Sequence, residues 1–124
     1  MKTLGNIIWL IFGGVVTALE YLAASIALMV TIIGIPFGIQ TLKLGLFTLT
    51  PFSMSIKEKS NSRGLLTLIM NIIWILIGGI WIFFTHIIFG VILAITIIGL
   101  PFAKQHFKMA VIALTPFGKE IVSK

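Results

Sequence analysis

Cysteine and aspartate are absent from the 124 residues, and charge is scarce: nine Lys or Arg and three Glu make up 10% of the chain. Without cysteine there is no disulfide, no thiolate nucleophile and no cysteine metal site. With no Asp and only two His, no catalytic triad or carboxylate pair is visible, and no glycine-rich phosphate loop follows a strand signal. The chain reads as a non-enzyme without a cofactor. A soluble domain is about a quarter charged and about half apolar, whereas this chain is 59% apolar with a mean hydropathy of +1.20. That excludes a water-soluble globular protein and leaves an integral membrane protein, a single membrane domain over residues 1–124. The formal charge of +6 does not point to nucleic acid, because nucleic-acid binders set Lys and Arg on a solvated face beside aromatics. Here the aromatics lie inside apolar runs, and cations flanking such runs mark cytoplasmic loops and contact with anionic lipid headgroups.

What is present is a repeat. A shift of 65 residues aligns Asn6–Ile56 with Asn71–Ile121 without gaps, and 20 of the 51 paired positions are identical. Asn6-Ile7-Ile8-Trp9 returns as Asn71-Ile72-Ile73-Trp74, Gly13-Gly14 as Gly78-Gly79, and Thr31-Ile32-Ile33-Gly34-Ile35-Pro36-Phe37 as Thr96-Ile97-Ile98-Gly99-Leu100-Pro101-Phe102. Gln40, Lys43 and Leu49-Thr50-Pro51-Phe52 return as Gln105, Lys108 and Leu114-Thr115-Pro116-Phe117. Ile- and Leu-rich composition cannot align Pro, Gly, Trp, Gln and Lys as well, so the sequence is a tandem duplication. The first repeat covers residues 4–56 and the second 65–121, with a polar linker at 53–63 that carries Lys57, Glu58, Lys59, Asn61 and Arg63.

Each repeat opens with an apolar stretch, Leu4 to Ile35 and Leu65 to Leu100. As one straight helix such a stretch would reach roughly 50 Å, against about 30 Å of hydrocarbon. A hairpin is therefore expected, with its bend near Glu20-Tyr21 and Thr85-His86, the aligned positions where strongly polar residues interrupt the run. Gly13-Gly14 and Gly78-Gly79 are rival break points, where a kink or close helix contact fits equally. Two spans per repeat would put all nine cations on one side, whereas one span would split them five to four. The positive-inside rule selects the first, with parallel repeats and both termini cytoplasmic. The opening residues have the outline of a cleaved signal peptide, but their counterpart in the second repeat is an internal hairpin arm.

Pro36 and Pro101 should end the spanning helices. The segments Phe37 to Leu49 and Phe102 to Leu114 then read as interfacial amphipathic helices holding lysines toward the headgroups, with a third crossing per repeat as the alternative. The resulting fold class is an all-α integral membrane protein of two tandem parallel repeats, each a short transmembrane hairpin plus an interfacial helix. Gln40, Lys43, Gln105 and Lys108 survive in both repeats and are candidates to line a cytoplasmic vestibule, or simply to anchor at the interface. Glu20, Tyr21 and His86 fall at the expected bends, near an outer mouth or in a solvated tip. His86 and His106 would meet at a metal only if the chain between them folded back. Trp9, Trp74 and Trp81 read as belt or packing residues, and Asn6 and Asn71 as caps or interhelical hydrogen-bonding groups.

The paired motifs Asn-Ile-Ile-Trp-(x)3-Gly-Gly, Thr-Ile-Ile-Gly-Ile-Pro-Phe-Gly-Ile-Gln with a following Lys, and a closing Leu-Thr-Pro-Phe-Gly resemble the YccF family of small bacterial inner-membrane proteins, from Asn6 to Val122. The chain departs in having Ser53 where the second repeat has Gly118. The resemblance implies the bacterial inner membrane and a duplicated hairpin, and it supplies no catalytic or binding residues. The functional expectation is an oligomeric channel or transport element, since one small bundle cannot enclose a pore. Its rival is a non-transporting accessory protein that binds anionic lipid or partner helices.

Overall fold

A computed structural model describes residues 2–58 and 64–123. The distal linker, with Lys59, Asn61 and Arg63, lies outside the described residues. The first half begins with α1 (Lys2–Trp9), passes through a π-type turn at Leu10–Gly14, continues as α2 (Val15–Met29) and returns as α3 (Ile35–Leu49) before strand β1 (Met54–Glu58). The second half follows the same order with α4 (Leu65–Trp74), a π-type turn at Ile75–Gly79, α5 (Ile80–Ile95), α6 (Leu100–Leu114) and β2 (Lys119–Ser123). Two continuous helical stretches, Thr3–Met29 and Leu65–Ile95, are long and apolar enough to cross a membrane.

The break at the double glycine is real, and in the first half it is a kink. Phe12 leaves helical geometry and Gly13 adopts φ +119°, a region that L side chains rarely occupy. There is also no room for a side chain: a Cβ on Gly13 would press on the His106 ring and Phe89, both from the second half. Gly78 likewise faces Ala24 across the halves, while Gly14 and Gly79 accept the indoles of Trp9 and Trp74.

The hairpin bend is not at Glu20-Tyr21 or Thr85-His86, which sit within the continuous helices α2 and α5. It falls 10–14 residues later, at residues 30–34 and 96–99, so the first arm of each hairpin is longer than the 16–20 residues that the expected bend would give. The chain turns where local chemistry closes the helix end. Thr31 Oγ1 donates to the Leu28 carbonyl and accepts the Gly34 N–H, and Thr96 does the same with Leu93 and Gly99. Such side-chain bonds replace lost helical partners, and Pro36 and Pro101 start the next helix at a position needing no N–H. The bend itself is apolar, with Ile32 and Ile98 85% and 90% exposed.

The segments after the prolines are therefore the return arms of the hairpins, packed along α2 and α5 rather than standing apart as separate interfacial helices. Ser25 and Thr41 share a buried hydroxyl bond of 2.6 Å between α2 and α3, and Gly45 lies against Tyr21. The fold is also not wholly α. β1 and β2 form an antiparallel pair in which Ile56 faces Ile121 and Lys57 faces Glu120. Residues 54–58, read as linker, are thus a strand whose Ile56 packs on the core together with Ile121. Ile56 and Ile121 are equivalent positions at the 65-residue offset, as are Glu20 and Thr85, which also meet. The halves therefore face each other about a local two-fold axis. Around it the interior is filled by Trp9, Trp74, Tyr21, Ile82 and His86, each at most 1% exposed.

Candidate functional site

Each buried indole is pinned within its own half and covered by the other. Trp9 Nε1 donates to the Thr48 carbonyl at 2.7 Å and Trp74 Nε1 to the Ala113 carbonyl at 2.8 Å. Tyr21 stacks on Trp74 with ring centres 6.0 Å apart, and its counterpart His86 stacks on Trp9 at 6.2 Å. Asn6 and Asn71 act similarly at the chain ends: their side-chain carbonyls accept the N–H of Phe52 and of Phe117, holding each helix start to the end of its own half. These asparagines bridge distant backbone, as the hydrogen-bonding reading of the sequence allowed.

The residues placed at an outer mouth are interior. Tyr21 and His86 belong to the core, and Glu20 is half-buried in α2 with Oε2 accepting the Thr85 hydroxyl at 2.9 Å. A polar interruption in an apolar run was read as a solvated tip. The physical alternative that prevails is polar groups meeting each other across the two-fold axis. Of the duplicated polar positions, Gln40 donates to the carbonyls of Pro116 and Lys119 in the second half, which ties α3 to the approach of β2. Gln105 is half-buried on α6, and Lys43 and Lys108 point outward. Lys43 borders a groove of about 320 Å³ walled by Leu46, Phe47, Met54 and Ile121.

The largest departure from the sequence reading is the histidine pair. The fold does turn the chain back between them, and His86 Nδ1 lies 2.9 Å from His106 Nδ1, both side chains fully buried. His106 Nε2 is 2.9 Å from the Phe12 carbonyl at the kink. That carbonyl can only accept, so Nε2 of His106 carries the proton, and in the neutral pair its Nδ1 accepts from the Nδ1–H of His86. Nε2 of His86 is left as a buried lone pair without a partner. Trp9 stacks 4.0 Å above His106 and Phe89 lies at 5.6 Å. Among the described residues no group of three or more His, Cys, Asp or Glu is placed to hold a metal ion. The pair's chemistry is that of a clamp on the broken helix. The first half has Tyr21 and Thr41 at the two positions, so this asymmetry between repeats was the signal available in the sequence. Changing His106 to Thr should remove both bonds and lower stability by about 1–3 kcal/mol, read as a fall in thermal midpoint in detergent. A Thr41→Ser change, which keeps its bonds, should move the midpoint far less.

Long apolar helices, a solid aromatic interior and outward-facing lysines define a small helical protein of a membrane. Comparison with known proteins says which membrane. A family model for YccF, described as an inner membrane component domain, matches the chain twice, over residues 4–54 and 69–119. The chain is 31% identical over 131 residues to Inner membrane protein YccF of Escherichia coli (strain K12), and equally to that of Shigella flexneri, covering 99% of this chain and 88% of each relative. The chain belongs to the YccF family of inner-membrane proteins. No solved structure matches it.

Proposed function

We propose that the protein is a non-conducting, non-catalytic element of the inner membrane that holds anionic lipid and membrane helices on its outer surface. The observation that carries this is the filled interior: where a path through the chain would run along the local two-fold axis, Trp9, Trp74, Tyr21, Ile82 and His86 close it. In this reading the two hairpins run in the same direction through the bilayer, with the paired strands and the cations near them on the cytoplasmic side. Lys43 and Lys108 extend along the apolar arms toward the headgroups, and the groove beside Lys43 suits an acyl chain whose phosphate meets the ammonium.

Purified protein in liposomes tests it. No ion or small-solute flux is expected over a range of voltage and pH. Changing Lys43 and Lys108 together to Gln should weaken retention of anionic lipid by about fivefold per lysine, the equivalent of about 1 kcal/mol each. Flux that is saturable and abolished by substitutions in the chain would overturn the reading in favour of an oligomeric channel with its path between copies.

A further inference from the structure

Glu20 uses only half of its carboxylate. Oε2 is taken by Thr85, whereas Oε1 is shielded from solvent and has no partner. The side chain lies in a groove of about 290 Å³ between α2 and the second half, walled by Ala23, Ala24, Ala27, Ile77 and Gly78, with Trp81 on its rim. Trp81 is 65% exposed, unlike Trp9 and Trp74. Its indole N–H has no acceptor among the described residues. Each copy thus carries an unused acceptor inside a slot with small-residue walls and an unused donor on a large ring beside that slot. In hydrocarbon neither group can turn to water.

We propose that this groove is the interface through which two copies of the chain dimerise in the membrane, the Trp81 ring of each entering the other's groove and its N–H donating to Glu20 Oε1. The arrangement is self-complementary, as an isologous two-fold contact requires, so each donation is made twice. Ala23, Ala27 and Gly78 let the helices approach closely, which is what drives association when lipid is as apolar as the side chains. The inference rests on the reading of the protein as a helix-docking element and names the first helix it docks: its own.

The test is dilution of the labelled full-length protein in phosphatidylglycerol-containing bilayers, with the dimer fraction read by energy transfer. Glu20→Leu and Trp81→Phe, the latter keeping the ring but not the N–H, should each weaken dimerisation about tenfold. The double variant should be no weaker than the worse single one, as expected of partners in one bond. Glu20→Gln retains an acceptor and should recover most of the affinity, which separates a lost bond from a lost fold. Val111→Ala on α6 should change nothing. A monomer at all dilutions, effects of Glu20→Leu and Trp81→Phe that simply add, or preferential capture of an added lysine-bearing transmembrane peptide by the groove would overturn the proposal. A monomer that still retains anionic lipid and conducts nothing would sink the dimer alone, whereas conduction by an intact dimer would sink the proposed function alone.

Discussion

Trp74→Ala is expected to cost about 3–5 kcal/mol of stability, the range for removing a large buried aromatic side chain, and to be the most damaging single substitution outside the bends. The indole is fully buried, stacks on Tyr21, meets Phe117 edge-on and donates to the Ala113 carbonyl. Its loss leaves a cavity that Gly79 cannot fill, and an acceptor in α6 without its donor. Trp9→Ala should be of similar size, since that ring carries the stack on His106 and the bond to Thr48. Unfolding in detergent, followed by near-ultraviolet circular dichroism, measures both. Trp74→Phe should recover most of the packing and retain a deficit of about 1–3 kcal/mol for the unpaired carbonyl. If Trp74→Ala unfolds no more easily than the wild type, the filled interior on which the functional reading depends is wrong.

Gly34→Ala should be nearly as severe through a different mechanism. A Cβ there would collide with the Leu28 carbonyl and the Thr31 hydroxyl, both of which form the bond that closes the bend. Backbone cannot yield as the end of a flexible side chain can, so a loss of about 3 kcal/mol is expected, at the upper end for overpacking. Gly99→Ala should reproduce it in the second hairpin, where the obstacles are the Leu93 carbonyl and the Thr96 hydroxyl. Gly64→Ala is the control: nothing lies within 4 Å of its Cβ position, and its φ of −167° suits any residue. Paired spin labels on α2 and α3 should report a wider separation for Gly34→Ala and no change for Gly64→Ala. Equal thermal midpoints for the Gly34 and Gly64 variants would refute the account of the bend.

The parts of this fold that could be read from the sequence are those set by short-range rules. Pro36 and Pro101 end the spanning helices where proline geometry requires, and Gly13-Gly14 breaks the first helix where two glycines permit it. The 65-residue offset was legible because identical side chains recur, and the same offset relates the bonds of Trp9 and Trp74 and of Thr31 and Thr96. The bend position was not legible from polarity. Glu20, Tyr21, Thr85 and His86 look like a solvated loop, yet their partners lie in the opposite half, 52–65 residues distant, and no window along the chain contains both members. The true bend is among the most apolar segments, closed by a threonine hydroxyl bonding three residues away in each direction. The histidine pair was hidden for the same reason: once the bend moves to residues 96–99, His86 and His106 lie at the same height on adjacent arms. The strands were hidden because they are five residues long and each is stable only against the other.

The pairing of β1 with β2 has a consequence for how the chain is made. Ile56 meets Ile121, and Gln40 on α3 meets the carbonyls of Pro116 and Lys119, so the first hairpin is held by residues that leave the ribosome last. At about 5–20 residues per second, 65 residues of synthesis keep β1 without its partner for about 3–13 s. During that interval the first hairpin stands in the bilayer with its strand edge open and the slot for His106 beside Gly13 empty. The molecule is closed by its final segment, like a clasp fastened after both halves are in place, and a ribosome stalled after Leu114 would hold a protein with all its helices and no lock.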